Sequence, residues 1–407
     1  MIRFIHTADI HFGVENYGKI DQKTGLHTRL LDFHRALQEC ISYAIDQNVD
    51  FFLFCGDAYK TATPTPTQQK LLLASFLRLY KAQIPIVIIT GNHDHPNSFG
   101  KAHALDIVGE LPLNGFHVIH KPSRITLATK SGPINIIGIP WPTKTAYTLN
   151  HQTDQHNTIQ EHLVGAIGTI IQSFAHEIDN SIPSILAGHL SVSSGVFSGS
   201  ERRATYGQDP LFLPSQLAIE PLSYVALGHL HRHQIVNPTS APPIVYAGSL
   251  ERIDFGERND PKGFCDVTII DNQAQITFVP VNTRAFVQIE ATFTEHTENQ
   301  TEVIIEEIHK NNIADAIVKV IYHLPMGQKD RVDTKKIQEA CVCAHYIAGI
   351  HAVKAIEQRE RRTHAKLDMS MEKLLHEYYK QKNILPEKSA QLIQKILNLK
   401  QEFSPEN

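Results

Sequence analysis

Five times in its first 231 residues this chain runs through a short apolar stretch and then, within a few positions, presents Asp, Asn or His. Residues 2–6 lead to Asp9 and His11, residues 51–55 to Gly56-Asp57, and residues 84–89 to Gly91-Asn92-His93-Asp94. Residues 184–187 lead to Gly188-His189, and residues 224–227 to Gly228-His229-Leu230-His231. A further run, 244–247, ends in Gly248-Ser249-Leu250-Glu251. Continuous apolar runs of this length fit strands covered on both faces. Between them lie helical stripes, such as Leu30, Leu31, Phe33, Leu37, Cys40, Ile41, Ala44 and Ile45. A second helix has a legible start, with Thr65 as N-cap, Pro66 in the first turn and Gln68 completing a capping box. Residues 124–139 read as a hairpin turning at Ser131-Gly132-Pro133, and residues 159–174 as another helix. Strand, polar loop, helix, strand is the pattern of an α/β fold, in which polar residues gather beyond the carboxyl ends of strands. The expectation is one convergent site.

Taken singly, an Asp-x-His is usually a loop accident and a Gly-His usually a cap or a packing contact. Their ordered recurrence after strands is what points to function. Neutral imidazole and carboxylate suit manganese, iron or zinc, and a carboxylate can bridge two ions. In Asp9-x-His11 and His229-x-His231 the two-residue spacing puts both side chains on one side if the backbone is extended. Two ions roughly 3.5–4 Å apart hold a phosphoester and stabilise both oxygens of an in-line displacement. Histidine is abundant, at 24 residues, but placement rather than number is the argument.

Several classes are excluded. The 407 residues suggest two or three domains at roughly 150 residues each. A composition 42% apolar and 20% charged is that of a folded chain, and a net charge of −4 excludes an indiscriminately basic DNA-coating protein. No run approaches the roughly 18 apolar residues that span a bilayer, and the start Met-Ile-Arg-Phe-Ile-His-Thr-Ala-Asp breaks too soon for a signal peptide. Five scattered cysteines suit reduced thiols, and Cys341-x-Cys343 lacks the second pair a structural zinc needs. From residue 282 a small α+β unit is expected, with strands at 287–291, 317–322 and 349–356 and helices at 303–309 and 334–344. Arg359-Glu360-Arg361-Arg362 reads as a linker before two amphipathic helices.

The ordered set resembles the calcineurin-like metallophosphoesterases. Within them it is similar to the SbcD family of DNA-repair nuclease subunits, relatives of the eukaryotic Mre-eleven nucleases. That family's Tyr-x-Gly-Ser-x-Glu-Arg-x-Asp-Phe-Gly-Glu segment is matched by Tyr246-Ala247-Gly248-Ser249-Leu250-Glu251-Arg252-Ile253-Asp254-Phe255-Gly256-Glu257. The resemblance implies a two-sheet β-sandwich flanked by helices over 1–281, a small α+β capping, DNA-binding domain over 282–358, and a linker with a two-helix ATPase-binding tail over 359–407. It implies two divalent ions, with manganese the family's metal. Asp9, His11 and His231 would hold one, Asn92, His189 and His229 the other, and Asp57 would bridge. His93 would sit by the scissile phosphate as the catalytic residue, and Asp94 would orient a neighbour.

The implied activity is manganese-dependent exonuclease and endonuclease cleavage of double-strand ends and hairpins. Its implied partners are DNA and an SbcC-type ABC ATPase, with a homodimer inside a heterotetramer, cytoplasmic and nucleoid-associated, without a membrane. Leu374, Leu375, Tyr378, Leu392, Ile393 and Ile396 are the candidate ATPase contacts, and the helices near 71–80 and 102–108 candidate dimer faces. Lys60 stands where some relatives place His or Asp; with Arg202 and Arg203 it is a candidate contact to DNA phosphates. The alternative is a stand-alone phosphoesterase acting on nucleotides, phosphoproteins or other small phosphoesters, which shares every metal ligand.

Overall fold

The computed structural model describes residues 1–95, 103–109, 114–143, 156–199, 209–355, 371–382 and 386–403. The chain divides into two compact units: residues 1–291, 299–321 and 332–351, and residues 292–298, 322–331 and 352–407.

The first unit contains two six-stranded sheets. One has the order β14 (Gln273–Pro280), β13 (Gly263–Ile270), β1 (Ile2–Thr7), β2 (Phe51–Cys55), β3 (Ile86–Ile89), β4 (Phe116–Ile119). The other has the order β11 (Gln234–Ile235), β12 (Ile244–Tyr246), β10 (Tyr224–Gly228), β7 (Ser184–His189), β6 (Gly132–Ile139), β5 (Ser123–Thr129). β1 through β4 are parallel, as are β6, β7, β10 and β12. β5 and β6 form the expected antiparallel hairpin. β8 (Ser191–Val192) and β9 (Leu211–Phe212) pair separately.

Period-two alternation explains the layering. Phe51, Leu53 and Cys55 face a core shared with Ile185, Ala187, Tyr224 and Ala226 of the second sheet. Their neighbours Phe52 and Phe54 turn the other way, toward residues of α1 (Thr28–Asp46) and α2 (Pro66–Lys81). On the second sheet Leu186, Val225 and Leu227 face residues of α4 (His156–His176) and α5 (Pro214–Leu217). The layers are therefore helix, sheet, sheet, helix, as expected for an α/β sandwich. A short α3 (Asp106–Gly109) lies between β3 and β4 in the chain. Between the sheets Phe4 stacks on Phe51 at 4.5 Å, an arrangement that adds about 0.5–1.5 kcal/mol beyond burial.

α2 starts as its sequence predicts, with both halves of the Thr65/Gln68 capping box formed. β15 (Phe286–Thr292), β16 (Ile317–Leu324) and β17 (Tyr346–Lys354) make a three-stranded sheet, accompanied by α6 (Gln300–His309) and α7 (Thr334–Ala340). α7 stops short of the expected residue 344. The Cys343 carbonyl accepts the Asp315 N–H at 2.9 Å and the His345 N–H bonds the Ala316 carbonyl at 2.9 Å, so pairing with the neighbouring chain replaces another helical turn.

In the second unit α8 (Met371–Gln381) and α9 (Pro386–Phe403) form the two expected tail helices. Ile393 is buried, Leu374, Leu375, Leu392 and Ile396 are half-buried, and Tyr378 is exposed. The linker at 359–362 lies outside the described residues. No helix among the described residues is long and apolar enough to cross a membrane, and the five cysteines are free.

Candidate metal centre

Parallel pairing sets the carboxyl ends of β1, β2 and β3 along one edge of the first sheet and those of β7 and β10 along one edge of the second. The loops that follow are tied to one another. Asp9 N–H donates to the Gly56 carbonyl at 2.9 Å and His11 N–H to the Asp57 carbonyl at 3.0 Å. Asp94 Oδ2 accepts Asp57 N–H at 2.8 Å and Gly91 N–H at 2.9 Å, while its Oδ1 accepts Ala58 N–H at 3.1 Å. Asp94 thus staples the second loop to the third, the orienting role expected of it.

These ties hold strained backbone. Asp9, His11, Asp57 and His229 have φ of 53°, 51°, 59° and 102°, a region that costs L-residues about 1–3 kcal/mol each. Among the described residues ten non-glycine positions have positive φ, and four of them carry side chains that converge here. Gly228 is required for a different reason: a Cβ there would land on the Cys55 carbonyl oxygen.

The side chains meet in one cluster. Asp9, His11 and His231 offer ligand atoms within 4.8 Å of one another; so do Asp9, Asp57 and His189, and so do His11, Asp57 and His93. His11 Nε2 lies 3.0 Å from His231 Nε2, 3.7 Å from Asp57 Oδ2 and 3.9 Å from Asp9 Oδ1. His189 Nε2 lies 3.4 Å from Asp57 Oδ2 and 3.0 Å from Asn92 Oδ1, and Asn92 Oδ1 is 3.2 Å from His229 Nδ1. All seven expected ligands are therefore gathered, with Asp57 between the His11 and His189 groups.

The hydrogen bonds behind the rings decide which nitrogens face inward. His189 Nδ1 donates to the Cys55 carbonyl at 2.8 Å, and His231 Nδ1 to Glu257 Oε1 at 2.9 Å. Their Nε2 atoms then turn toward oxygen and nitrogen lone pairs. Burial works against charge on His189, but Asp57 and Asp9 overcome it and lift the imidazole to about 9. Burial alone would raise Asp57; His189 and His11 reverse this and hold it well below the usual carboxylate range. Burial pushes Asp9 up to about 6 and His11 well below its ordinary value. A proton, or a divalent cation in its place, must sit among these inward lone pairs. Neutral imidazoles, carboxylates and an amide oxygen suit manganese, iron or zinc, so the donor set fits two such ions.

His93 stands at the exposed side of the cluster. Its backbone N–H donates to Asp57 Oδ1 at 2.9 Å, and its Nδ1 donates to the Lys60 carbonyl at 2.8 Å. Lys60 thus touches the site through its backbone, while its side chain is exposed. Arg202 and Arg203 lie outside the described residues. Sequence reasoning gave no role to four neighbours. Asp209 Oδ2 accepts from His229 Nε2 at 3.1 Å, and Glu257 holds His231 while pairing with Lys262 at 2.7 Å. Trp141, the lone tryptophan, lies 4.8 Å from the His229 ring, centroid to centroid. Glu257 stood in the quoted 246–257 segment, which was a signal; the others carried none.

A family model for calcineurin-like phosphoesterases matches residues 2–233. The crystal structure of a dimetal phosphatase from Danio rerio is similar at 8% identity and a TM-score of 0.40, covering 68% of this chain and 98% of that chain.

Proposed function

Because the chain belongs to the calcineurin-like phosphoesterase family, we propose that it is a two-metal phosphodiesterase acting on DNA, an SbcD-type nuclease subunit. The observation that carries the hydrolytic part is the strand-end cluster, where Asp9, His11 and His231 would hold one ion, Asn92, His189 and His229 the other, and Asp57 both. Two bound divalent ions, most simply manganese, supply Lewis acidity: they offset phosphate charge and activate water. The chain's own residues supply orientation and the proton. Strained, cross-tied loops fix the ligands before substrate arrives. His93, its Nδ1 anchored on the Lys60 carbonyl, keeps Nε2 for the substrate, where it stabilises the transition state or protonates the leaving oxygen.

The match of residues 246–257 to the SbcD segment supports DNA as substrate, and the exposed flank at His93 suits a polymeric phosphodiester. The tail helices, with Tyr378 exposed and a stripe at Leu374, Leu375, Leu392 and Ile396, would dock on an SbcC-type ABC ATPase. A homodimer within that assembly, placed at the nucleoid, belongs to the same proposal. A stand-alone phosphoesterase of small substrates uses the same ligands.

The test is cleavage of linear duplex, hairpin DNA and a chromogenic phosphodiester with manganese, beside Asp57→Ala and with the ATPase added. Cleavage of DNA lost in Asp57→Ala is expected; cleavage of the small ester alone would favour the stand-alone enzyme. Deletion of 366–407 should abolish ATPase binding, and retained binding would sink the docking proposal. His93→Gln should lose about 10²–10⁴ in rate while still binding manganese. Loss of manganese as well would make His93 a ligand.

A further inference from the structure

Two of the converging histidines are gripped from behind by carboxylates, and the grips differ. His231 presents Nδ1 to Glu257 Oε1 at 2.9 Å. The other oxygen of Glu257 is 2.7 Å from Lys262 Nζ, and both side chains are fully buried. Lys262 Nζ also donates to the His231 carbonyl at 3.0 Å and to Ser249 Oγ at 2.8 Å. Burying a lysine costs its hydration and the freedom of a long side chain. Its three bonds go to Glu257 behind His231, to the carbonyl of His231 itself, and to Ser249, whose N–H bonds that same carbonyl. The ammonium therefore fixes Glu257 as an acceptor, and Glu257 fixes Nδ1 of His231 as the donor.

His229 is held by its opposite nitrogen. Nε2 faces Asp209 Oδ2 at 3.1 Å, and Ser191 Oγ donates to the same oxygen at 3.2 Å. Nδ1 is then the nitrogen turned toward Asn92. The Asp209 side chain is 15% exposed, where Glu257 is wholly enclosed.

We propose that the Glu257–Lys262 pair and Asp209 are positioning residues that set the two histidines in opposite tautomers, so that each carboxylate governs one metal site and not the other. A carboxylate behind a ligand imidazole fixes its orientation and raises its basicity, and losing one typically weakens metal binding about 10–100-fold. This inference rests on the two-metal reading of the cluster.

The test is titration of the metal-free full chain with manganese alone, read by calorimetry and by the electron-spin signal of free Mn²⁺. Wild type should bind two ions. The double variant Glu257→Gln, Lys262→Met replaces a buried ion pair by neutral groups of similar size and should weaken one of the two sites by about 10–100-fold. Asp209→Asn should weaken the other. In a His11→Ala background, which removes the first site, the double variant should have no further effect, while Asp209→Asn keeps its own. A role in folding alone would not produce that selectivity. Should the double variant not fold, Glu257→Gln alone makes the same comparison. Equal weakening of both sites, or of neither, overturns the inference. If wild type binds no manganese, the two-metal reading itself fails.

Discussion

Carboxylates are buried in two parts of the first unit, and what faces them is different. Asp32, 1% exposed, accepts Arg284 Nε and Nη2 at 2.8 Å each, Arg29 Nη1 at 3.0 Å and Arg35 Nη2 at 3.2 Å. Burial works to raise Asp32, but Arg284 and its companions win and lower it. Asp9 and Asp57 are equally buried, yet the groups that pair with them are imidazoles, and among the described residues no Lys or Arg forms an ion pair with either. One cluster is closed, its charge settled by guanidinium groups fixed in the fold. The other is open: among the described residues the side chains that pair with its carboxylates are rings that can also carry a lone pair. A fold that can bury an arginine against Asp32 leaves the strand-end cluster without one, and that is what a site built for exchangeable cations requires.

Mutation should separate the two. Asp9→Asn should reduce hydrolysis to background and remove the manganese-dependent stabilisation of its own site, about 2.7 kcal/mol at a hundred times Kd, while the second site keeps its share. Its metal-free unfolding midpoint should not fall, because burial already disfavours the Asp9 charge; a large drop would make the strand-end cluster structural. Asp32→Asn should do the reverse. Removing the carboxylate leaves Arg29, fully buried, with Glu251 at 3.9 Å as its remaining counter-charge, and about 3–5 kcal/mol should be lost in urea or thermal unfolding, with or without metal. A loss below about 1 kcal/mol would show that the arginine cluster is not closed in the sense argued.

A smaller effect comes from a third kind of buried group, one kept neutral. His6 lies between Tyr224 Oη at 2.9 Å and the Leu227 carbonyl at 3.2 Å, and burial pushes it from 6.5 down to about 3. Below pH 6.5 the unfolded chain gains a proton that the folded chain refuses until about pH 3. Its contribution is therefore whole above 6.5 and declines as pH falls through that window, by at most about 1.4 kcal/mol per unit. His6→Gln should flatten the acid limb of the stability curve; an unchanged slope would mean His6 is protonated in the fold.

Strands and site loops were legible because both rest on local pattern. Phe51 to Cys55 is apolar at every position since alternate side chains enter two different cores, and Gly56-Asp57 follows because the chain must turn there. The supports were not legible as supports, although Glu257 closes the 246–257 segment. Asp209, Glu257 and Lys262 lie 20 to 31 residues from the histidines they serve, joined only by folding. Lys60 shows another limit, because its sequence position suggests a role for the side chain and says nothing of the carbonyl that meets His93. Arg29 begins a helix whose stripe predicts burial of Leu30 and Phe33, yet it is itself fully enclosed through Asp32.

The most direct measurement is anomalous diffraction at the manganese edge from crystals of the full chain grown with Mn²⁺. Two peaks are expected in the strand-end cluster, one against Asp9, His11 and His231, the other against Asn92, His189 and His229, with Asp57 reaching both. A single peak, or peaks away from these residues, would contradict a two-metal centre.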